Sequence, residues 1–306
     1  MSITVRAPAK INLHLGVGAA RADGFHPLDT VYQAIGLYDD LTARSAAGWQ
    51  VDVRAASYVA SGALPPPGLN IVDRAARLLA DLHEREPFGA VDIYKDIPVA
   101  GGMAGGSADA AAALVALDRL WEAGTSDEDL LRLAADLGSD VPFALVGGSA
   151  HGTGRGEVVQ RVPDTGTWWW VLVPSSEGLS TPEVYRRFDA LYDDPDPVPL
   201  SSTVVLAALA AGDPHALAAA LHNDLQAAAL DLRPDLGDLL TAGERAGALR
   251  GLVSGSGPTV VFLAESADAA RDVAGGLAAA APVVLVANGP VAGAHVVPEA
   301  GASWPT

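Results

Sequence analysis

Hydrophobic and polar positions alternate in short runs through the first hundred residues. Val51-Asp-Val-Arg54 has period two, the mark of a strand with one buried face. On that pattern Ile3–Arg6, Ile11–Leu15, Val31–Ile35, Trp49–Arg54 and Val91–Ile97 are predicted strands. Residues 71–82 switch to the helical period, with apolar Ile71, Ala75, Leu78, Leu79 and Leu82 on one face and Asn70 placed to cap the start. Helices are predicted at 107–122 and 126–137, the second capped by Thr125 or Ser126. The second half predicts strands at Trp168–Val173, Leu249–Val253, Thr259–Leu263 and Val283–Ala287. Its helices fall at 181–192, 203–230 (broken at Gly212-Asp-Pro214), 235–246 and 267–280. Leu64-Pro-Pro-Pro-Gly68 reads as a rigid connector and 193–199 as a loop. The glycine-rich run 147–156 reads as a strand passing between domains. Strands and helices interleave in both halves with no internal repeat, an α+β texture.

Composition narrows the function classes. The chain has 306 residues, half of them hydrophobic, enough for a substantial core in one large domain or two ordinary ones. It carries 19 basic and 37 acidic residues, a net charge of −18. That balance excludes the usual basic face of nucleic-acid or anionic-membrane binders. There is no cysteine, so disulfides, thiolate metal sites and cysteine nucleophiles are ruled out. The first residues show no signal-peptide pattern, and no apolar run approaches the ~18 residues of a membrane span. These features predict a soluble, cytoplasmic protein.

The chemistry concentrates in Pro98-Val-Ala-Gly-Gly-Met-Ala-Gly-Gly-Ser-Ala-Asp-Ala-Ala-Ala112, between a predicted strand and a predicted helix. Glycines there let consecutive N–H groups point inward, and the helix start adds partial positive charge, the general geometry for phosphate. Ser107, at the predicted helix start, could cap it, touch phosphate or ligate magnesium. Gly101 and Gly106 have P-loop spacing, yet Ser107 stands where the P-loop needs lysine. Gly16-Val-Gly18 and Gly255-Ser-Gly257 match only half of a dinucleotide fingerprint, so an oxidoreductase is disfavoured.

Six segments together carry a resemblance. They are Ala7-Pro-Ala-Lys-Ile-Asn-Leu-His-Leu15, Arg21-Ala-Asp-Gly-Phe-His-Pro-Leu-Asp-Thr30, the glycine-rich stretch, Leu137-Gly-Ser-Asp-Val-Pro-Phe143, Gly152-Thr-Gly-Arg-Gly-Glu157 and Ser254-Gly-Ser-Gly-Pro258. In this order, over residues 6 to about 260, the chain resembles the GHMP kinases: the galactose, homoserine, mevalonate and phosphomevalonate kinases and their relatives. It is most similar to the branch that acts on a cytidyl-diphosphate sugar alcohol in the non-mevalonate (MEP) isoprenoid pathway. The resemblance implies a two-domain α+β GHMP kinase fold, with a ribosomal protein S5 domain 2-like N-terminal domain at 1–155 and a ferredoxin-like C-terminal domain at 156–306. It implies ATP and Mg2+ as cofactors, a small-molecule acceptor phosphorylated at the 2-hydroxyl of its methylerythritol unit, and a monomer or weak homodimer.

Site residues follow from the same resemblance. Asp140 matches the catalytic base, although Asp before Val-Pro is also an ordinary helix cap. Lys10 matches the lysine that offsets charge on the transferred phosphoryl group; the chain has only one other lysine, Lys95. Pro98, Val99, Ala100, Gly101, Gly102, Met103, Ala104, Gly105, Gly106, Ser107 and Ala108 would form the ATP loop, with Asn70 and Lys95 near adenine. Phe25 and His26 match the cytosine-holding pair, with phenylalanine where tyrosine is common. Tyr185 matches a second aromatic wall, with core packing as its ordinary alternative; Thr181 and Asn12 would also meet the substrate. Ser107 is the one protein candidate for the metal. His14 and His151 are read as structural. The rivals are another kinase of the superfamily and an inactive sugar-nucleotide sensor. Retention of Lys10 and Asp140 speaks against the sensor.

Overall fold

The computed structural model describes residues 2–59, 66, 68–99, 101–175, 177–192 and 196–298. Most of the predicted connector at 64–68 and part of the loop at 193–199 lie outside them, as does Ala100.

The chain begins with β1 (Ser2–Val17), β2 (Leu28–Arg44) and β3 (Trp49–Ala55), followed by α1 (Ile71–Leu82), β4 (Gly89–Lys95) and α2 (Gly105–Leu120). Then come α3 (Asp127–Leu137), α4 (Val141–Val146), β5 (Ser149–Thr153) and β6 (Val158–Arg161). The rest is β7 (Trp168–Val173), α5 (Thr181–Leu191), α6 (Thr203–Ala211), α7 (Pro214–Ala220), β8 (His222–Asn223), α8 (Gln226–Leu232) and α9 (Asp235–Arg245). It ends with β9 (Arg250–Val253), β10 (Val260–Ala264), α10 (Ala267–Leu277), β11 (Leu285–Gly289) and β12 (His295–Val297). An eight-stranded sheet follows the order β12-β1-β2-β4-β3, with β5, β6 and β8 attached, and a four-stranded sheet has the order β11-β7-β10-β9.

The two strands predicted at Ile3–Arg6 and Ile11–Leu15 are one strand. Pro8 between them lacks an N–H for the ladder, and the register of β1 on β2 shifts between Pro8 and Ala9, which absorbs the defect without ending the strand. The helix predicted at 203–230 is three helices and a short strand. Gly212 is left-handed, and Asp213 caps α7 with Pro214 in its first turn. Leu221 is extended, which lets His222 and Asn223 pair with His14 and Leu15 of β1. The run at 147–156 forms β5, paired with β2 in the larger sheet.

α2 packs against β1 and β2 on one side and α1, α3 and α4 on others, and alanines 110 to 113 are fully buried because they are small enough to let those neighbours lie close to the helix. The two sheets share a core: Trp168 and Trp170 of β7 cluster with Ile35, Ala110 and Leu114. The Trp170 indole donates to Gln33 Oε1 on β2 at 2.8 Å, so this cross-sheet contact is polar-satisfied as well as packed.

Candidate active site

A cleft of about 920 Å³ opens between the glycine-rich loop, the second half of β1, α5 and the loop after β9. Alternation along β1 builds its floor. Ile11 and Leu13 point into the core, while Lys10 and Asn12 project from the other face and line the cleft. Lys10 Nζ donates to Asn12 Oδ1 at 2.7 Å, and Asn12 Nδ2 donates to Thr30 Oγ1 at 2.8 Å. Thr30 donates onward to the His14 carbonyl, so the amide of Asn12 is fixed in orientation and holds the ammonium in place.

The backbone N–H of Lys10 donates to the Met103 carbonyl at 3.2 Å. That bond ties the first strand to the glycine-rich loop and places Lys10 beside it. The loop is braced from behind by the segment after β9. Ser254 Oγ donates to the Gly102 carbonyl, and a Cβ on Gly102 would lie 2.3 Å from the Ser254 carbonyl oxygen. Gly102 has φ +75, so glycine is required there on both counts.

Ser107 was predicted to open α2, but the helix starts at Gly105, two residues earlier. Ala104, in the left-handed region at φ 58, is the N-cap and supplies no side-chain hydrogen bond. The first N–H groups of α2 therefore have no capping side chain, and Gly105, Gly106 and Ser107 line the cleft. A Cβ built on Gly106 meets nothing within 4 Å. An open concavity bounded by uncapped amides fits a phosphate chain.

Asp140 stands at the N-cap of α4 but makes no capping hydrogen bond. Its Oδ2 lies 3.4 Å from Lys10 Nζ instead. The lysine is buried, and the aspartate keeps 30% of its side chain exposed to the cleft. Two phenols adjoin it. Burial and the Asp140 charge push both Tyr32 and Tyr185 upward, so both remain protonated donors.

On the far side, Phe25 and His26 line the cleft with Tyr185, whose ring centroid is 4.8 Å from that of His26. Tyr185 is therefore a wall residue as well as a member of the α5 packing face. Phe25 is 48% exposed, and the Arg155 guanidinium lies 5.0 Å from its ring centroid. Thr181 also lines the cleft, sharing a 2.8 Å hydrogen bond with Ser256.

Several predicted residues lie elsewhere. Asn70 forms a capping box with Asp73 at α1 and does not line the cleft. Lys95 is buried between Asp39 and Asp109, at 2.5 and 2.6 Å, because two carboxylates on β2 and α2 converge on it. Pro98, Met103 and Ala108 support the loop from the buried side, and Val99 does not line the cleft. Sequence reasoning missed Tyr32, Ser139, Arg155 and Asp189, which reach the cleft from four separate segments. Arg155 alone had a signal, as the one cation in a glycine-rich run. Among the described residues no cluster of three His, Cys, Asp or Glu side chains could enclose a metal. Ser107 and Asp140 do share the cleft, which fits a magnesium ion held chiefly by phosphates.

Comparisons with known proteins identify the family. The pattern described as "GHMP kinases N terminal domain" matches residues 70–148, and "GHMP kinases C terminal" matches 205–283. The 4-diphosphocytidyl-2-C-methyl-D-erythritol kinase of a Nocardioides species is 68% identical over 96% of this chain and 99% of its own. The protein of that name from Streptomyces coelicolor is 52% identical over 97% of this chain and all of its own. A crystal structure of 4-(cytidine 5'-diphospho)-2C-methyl-D-erythritol kinase superposes with TM-score 0.74 at 32% identity, covering 94% of this chain and 98% of that one. Homoserine kinase from Cytophaga hutchinsonii reaches TM-score 0.73 at 19% identity, a likeness of fold alone. The two matching patterns and the full-length similarity converge on one assignment: the chain belongs to the 4-diphosphocytidyl-2-C-methyl-D-erythritol kinases, ATP-dependent enzymes of the GHMP kinase fold.

Proposed function

We propose that the enzyme transfers the γ-phosphoryl group of ATP to the 2-hydroxyl of 4-diphosphocytidyl-2-C-methyl-D-erythritol, with Asp140 as base and Lys10 as its electrostatic partner. The observation that carries this reading is the pair itself: a partly exposed carboxylate, free of capping duty, 3.4 Å from a buried ammonium beside the glycine-rich loop. Asp140 accepts the proton of the acceptor hydroxyl as its oxygen bonds to the γ-phosphorus. The bond from that phosphorus to the β–γ bridging oxygen breaks, and ADP leaves. Lys10, held by Asn12, faces the negative charge on the transferring group. Magnesium, with Ser107 as its protein contact, would neutralise the phosphates. Phe25 stacks on cytosine opposite Tyr185, and His26 reads its edge. The N-terminal part, 1–155, carries the ATP loop together with Asp140, Phe25 and His26, and the C-terminal part, 156–306, adds Tyr185 and the Ser254–Pro258 loop to the substrate wall. The MEP pathway and a cytoplasmic setting follow from the same substrate.

The test is ADP release coupled to a visible readout, across the cytidyl substrate, mevalonate and homoserine. Turnover with the cytidyl substrate alone is the expected result, with phosphate recovered on the 2-oxygen. Comparable turnover with homoserine or mevalonate would overturn the assignment.

A further inference from the structure

His26 is buried, and its Nε2 lies 2.8 Å from Oδ1 of Asp189 on α5. A carboxylate oxygen accepts, so the Nε2 of the neutral ring carries the proton and Nδ1 carries the lone pair. Nδ1 makes no hydrogen bond among the described residues, and His26 lines the cleft. The ring itself is held: Tyr185 packs on it at 4.8 Å and Phe188 meets it edge-on at 6.1 Å. Asp189 lines the cleft yet contacts none of the groups assigned to phosphoryl transfer.

We propose that Asp189 is a positioning residue that sets the preference for cytidine over uridine by fixing the tautomer of His26. This rests on the reading that His26 faces the base. An Nδ1 acceptor matches the exocyclic amine of cytosine, which donates. The corresponding O4 of uracil is itself an acceptor, and two lone pairs then face each other. Accepting uracil requires moving the histidine proton to Nδ1, which turns an Nε2 lone pair toward the Asp189 carboxylate. The enzyme thereby penalises the wrong base through a residue that does not touch it.

The experiment compares kcat/KM for the cytidyl substrate and its uridyl analogue in the wild type, Asp189→Asn and His26→Ala. An asparagine amide can donate or accept toward Nε2, so Asp189→Asn frees the tautomer. The expected result is a loss of about tenfold or more in the cytidyl-to-uridyl ratio, mostly by gain on the uridyl side. The kcat with the cytidyl substrate should stay within about threefold. An unchanged ratio in Asp189→Asn alongside a lowered ratio in His26→Ala overturns the role of Asp189 and leaves the base pocket standing. An unchanged ratio in both removes His26 from base reading. Nitrogen NMR of labelled histidine gives a readout independent of turnover and of the His26 variant's folding. The wild type should show the proton on Nε2 of His26 and Asp189→Asn a mixture, and an Nδ1 proton in the wild type would sink the proposal.

Discussion

Lys10 Nζ lies 3.4 Å from Asp140 Oδ2, with the lysine side chain 8% exposed and the aspartate 30%. The two differ in freedom as well as in exposure: the cation is fixed by Asn12, and the carboxylate is left open to the cleft.

Asp140→Asn removes the proposed proton acceptor without removing a cap, because the carboxylate makes no capping bond. Turnover should fall by about 10²–10⁴-fold, with the KM for ATP little changed. Thermal melting should stay near wild type. A folded variant with near-normal kcat returns Asp140 to a structural role.

The loop glycines should divide into two kinds. Gly106→Val places its side chain in open space at the cradle, so the fold should persist while ATP no longer raises the melting temperature. Gly102→Ala meets the Ser254 carbonyl oxygen at 2.3 Å and adopts a disfavoured φ, so the protein itself should be destabilised. Differential scanning fluorimetry with and without ATP distinguishes the two, and equal ATP protection of Gly106→Val and wild type removes this loop from phosphate binding.

Phe25 is half exposed, so Phe25→Ala should leave the melting temperature nearly unchanged. Its effect should fall on the KM for the cytidyl substrate, by about 1–3 kcal/mol, the range for losing one base–aromatic stack. Phe25→Tyr should be close to neutral. A lowered melting temperature with an unchanged KM in Phe25→Ala would mean that the ring serves packing.

The buried Asp39–Lys95–Asp109 group predicts a pH dependence. Asp39 Oδ1 accepts from the N–H groups of Asp96 and Ile97, and Lys95 Nζ also approaches the Gly105 carbonyl, so the cluster joins both ends of the phosphate loop. Burial and the neighbouring Asp109 push the Asp39 carboxyl up to about 8, against the pull of Lys95. For Lys95, burial lowers it, but the charges of Asp109 and Asp39 outweigh that and hold it above its ordinary value. A folded carboxyl above its unfolded value binds the proton more tightly when folded. Its contribution to stability is complete below about pH 4 and is lost as pH rises through about 8. Melting temperature should therefore fall across that window in the wild type more than in Asp39→Asn. Parallel pH profiles for the two proteins contradict this assignment. Lys95→Met removes the cation held between the two buried carboxyl groups and should cost about 3–5 kcal/mol.

Local rules in the sequence determined the elements whose causes are local. Asn70 and Ser126 cap the helices they were read to cap, because the donor N–H groups lie within three residues. The chain turns at Gly212-Asp-Pro214, where each residue type has a specific backbone reason to stop or start a helix. The strand–glycine–helix order of the cradle was legible for the same reason. Resemblance, rather than pattern, named Lys10 and Asp140. Only tertiary structure decided how β1 runs through Pro8, why Asp140 is released from capping, and which lysine reaches the cleft. Lys10 and Lys95 are the same residue type, both mostly buried. One is lifted onto the cleft floor by Asn12, and the other is neutralised between carboxylates from β2 and α2. The difference lies in partners 56 and 14 residues distant along the chain for Lys95 and 130 for Lys10 (positions 10 and 140). Periodicity reports the face a residue occupies, whereas the charge it meets there is set by the packing of other segments.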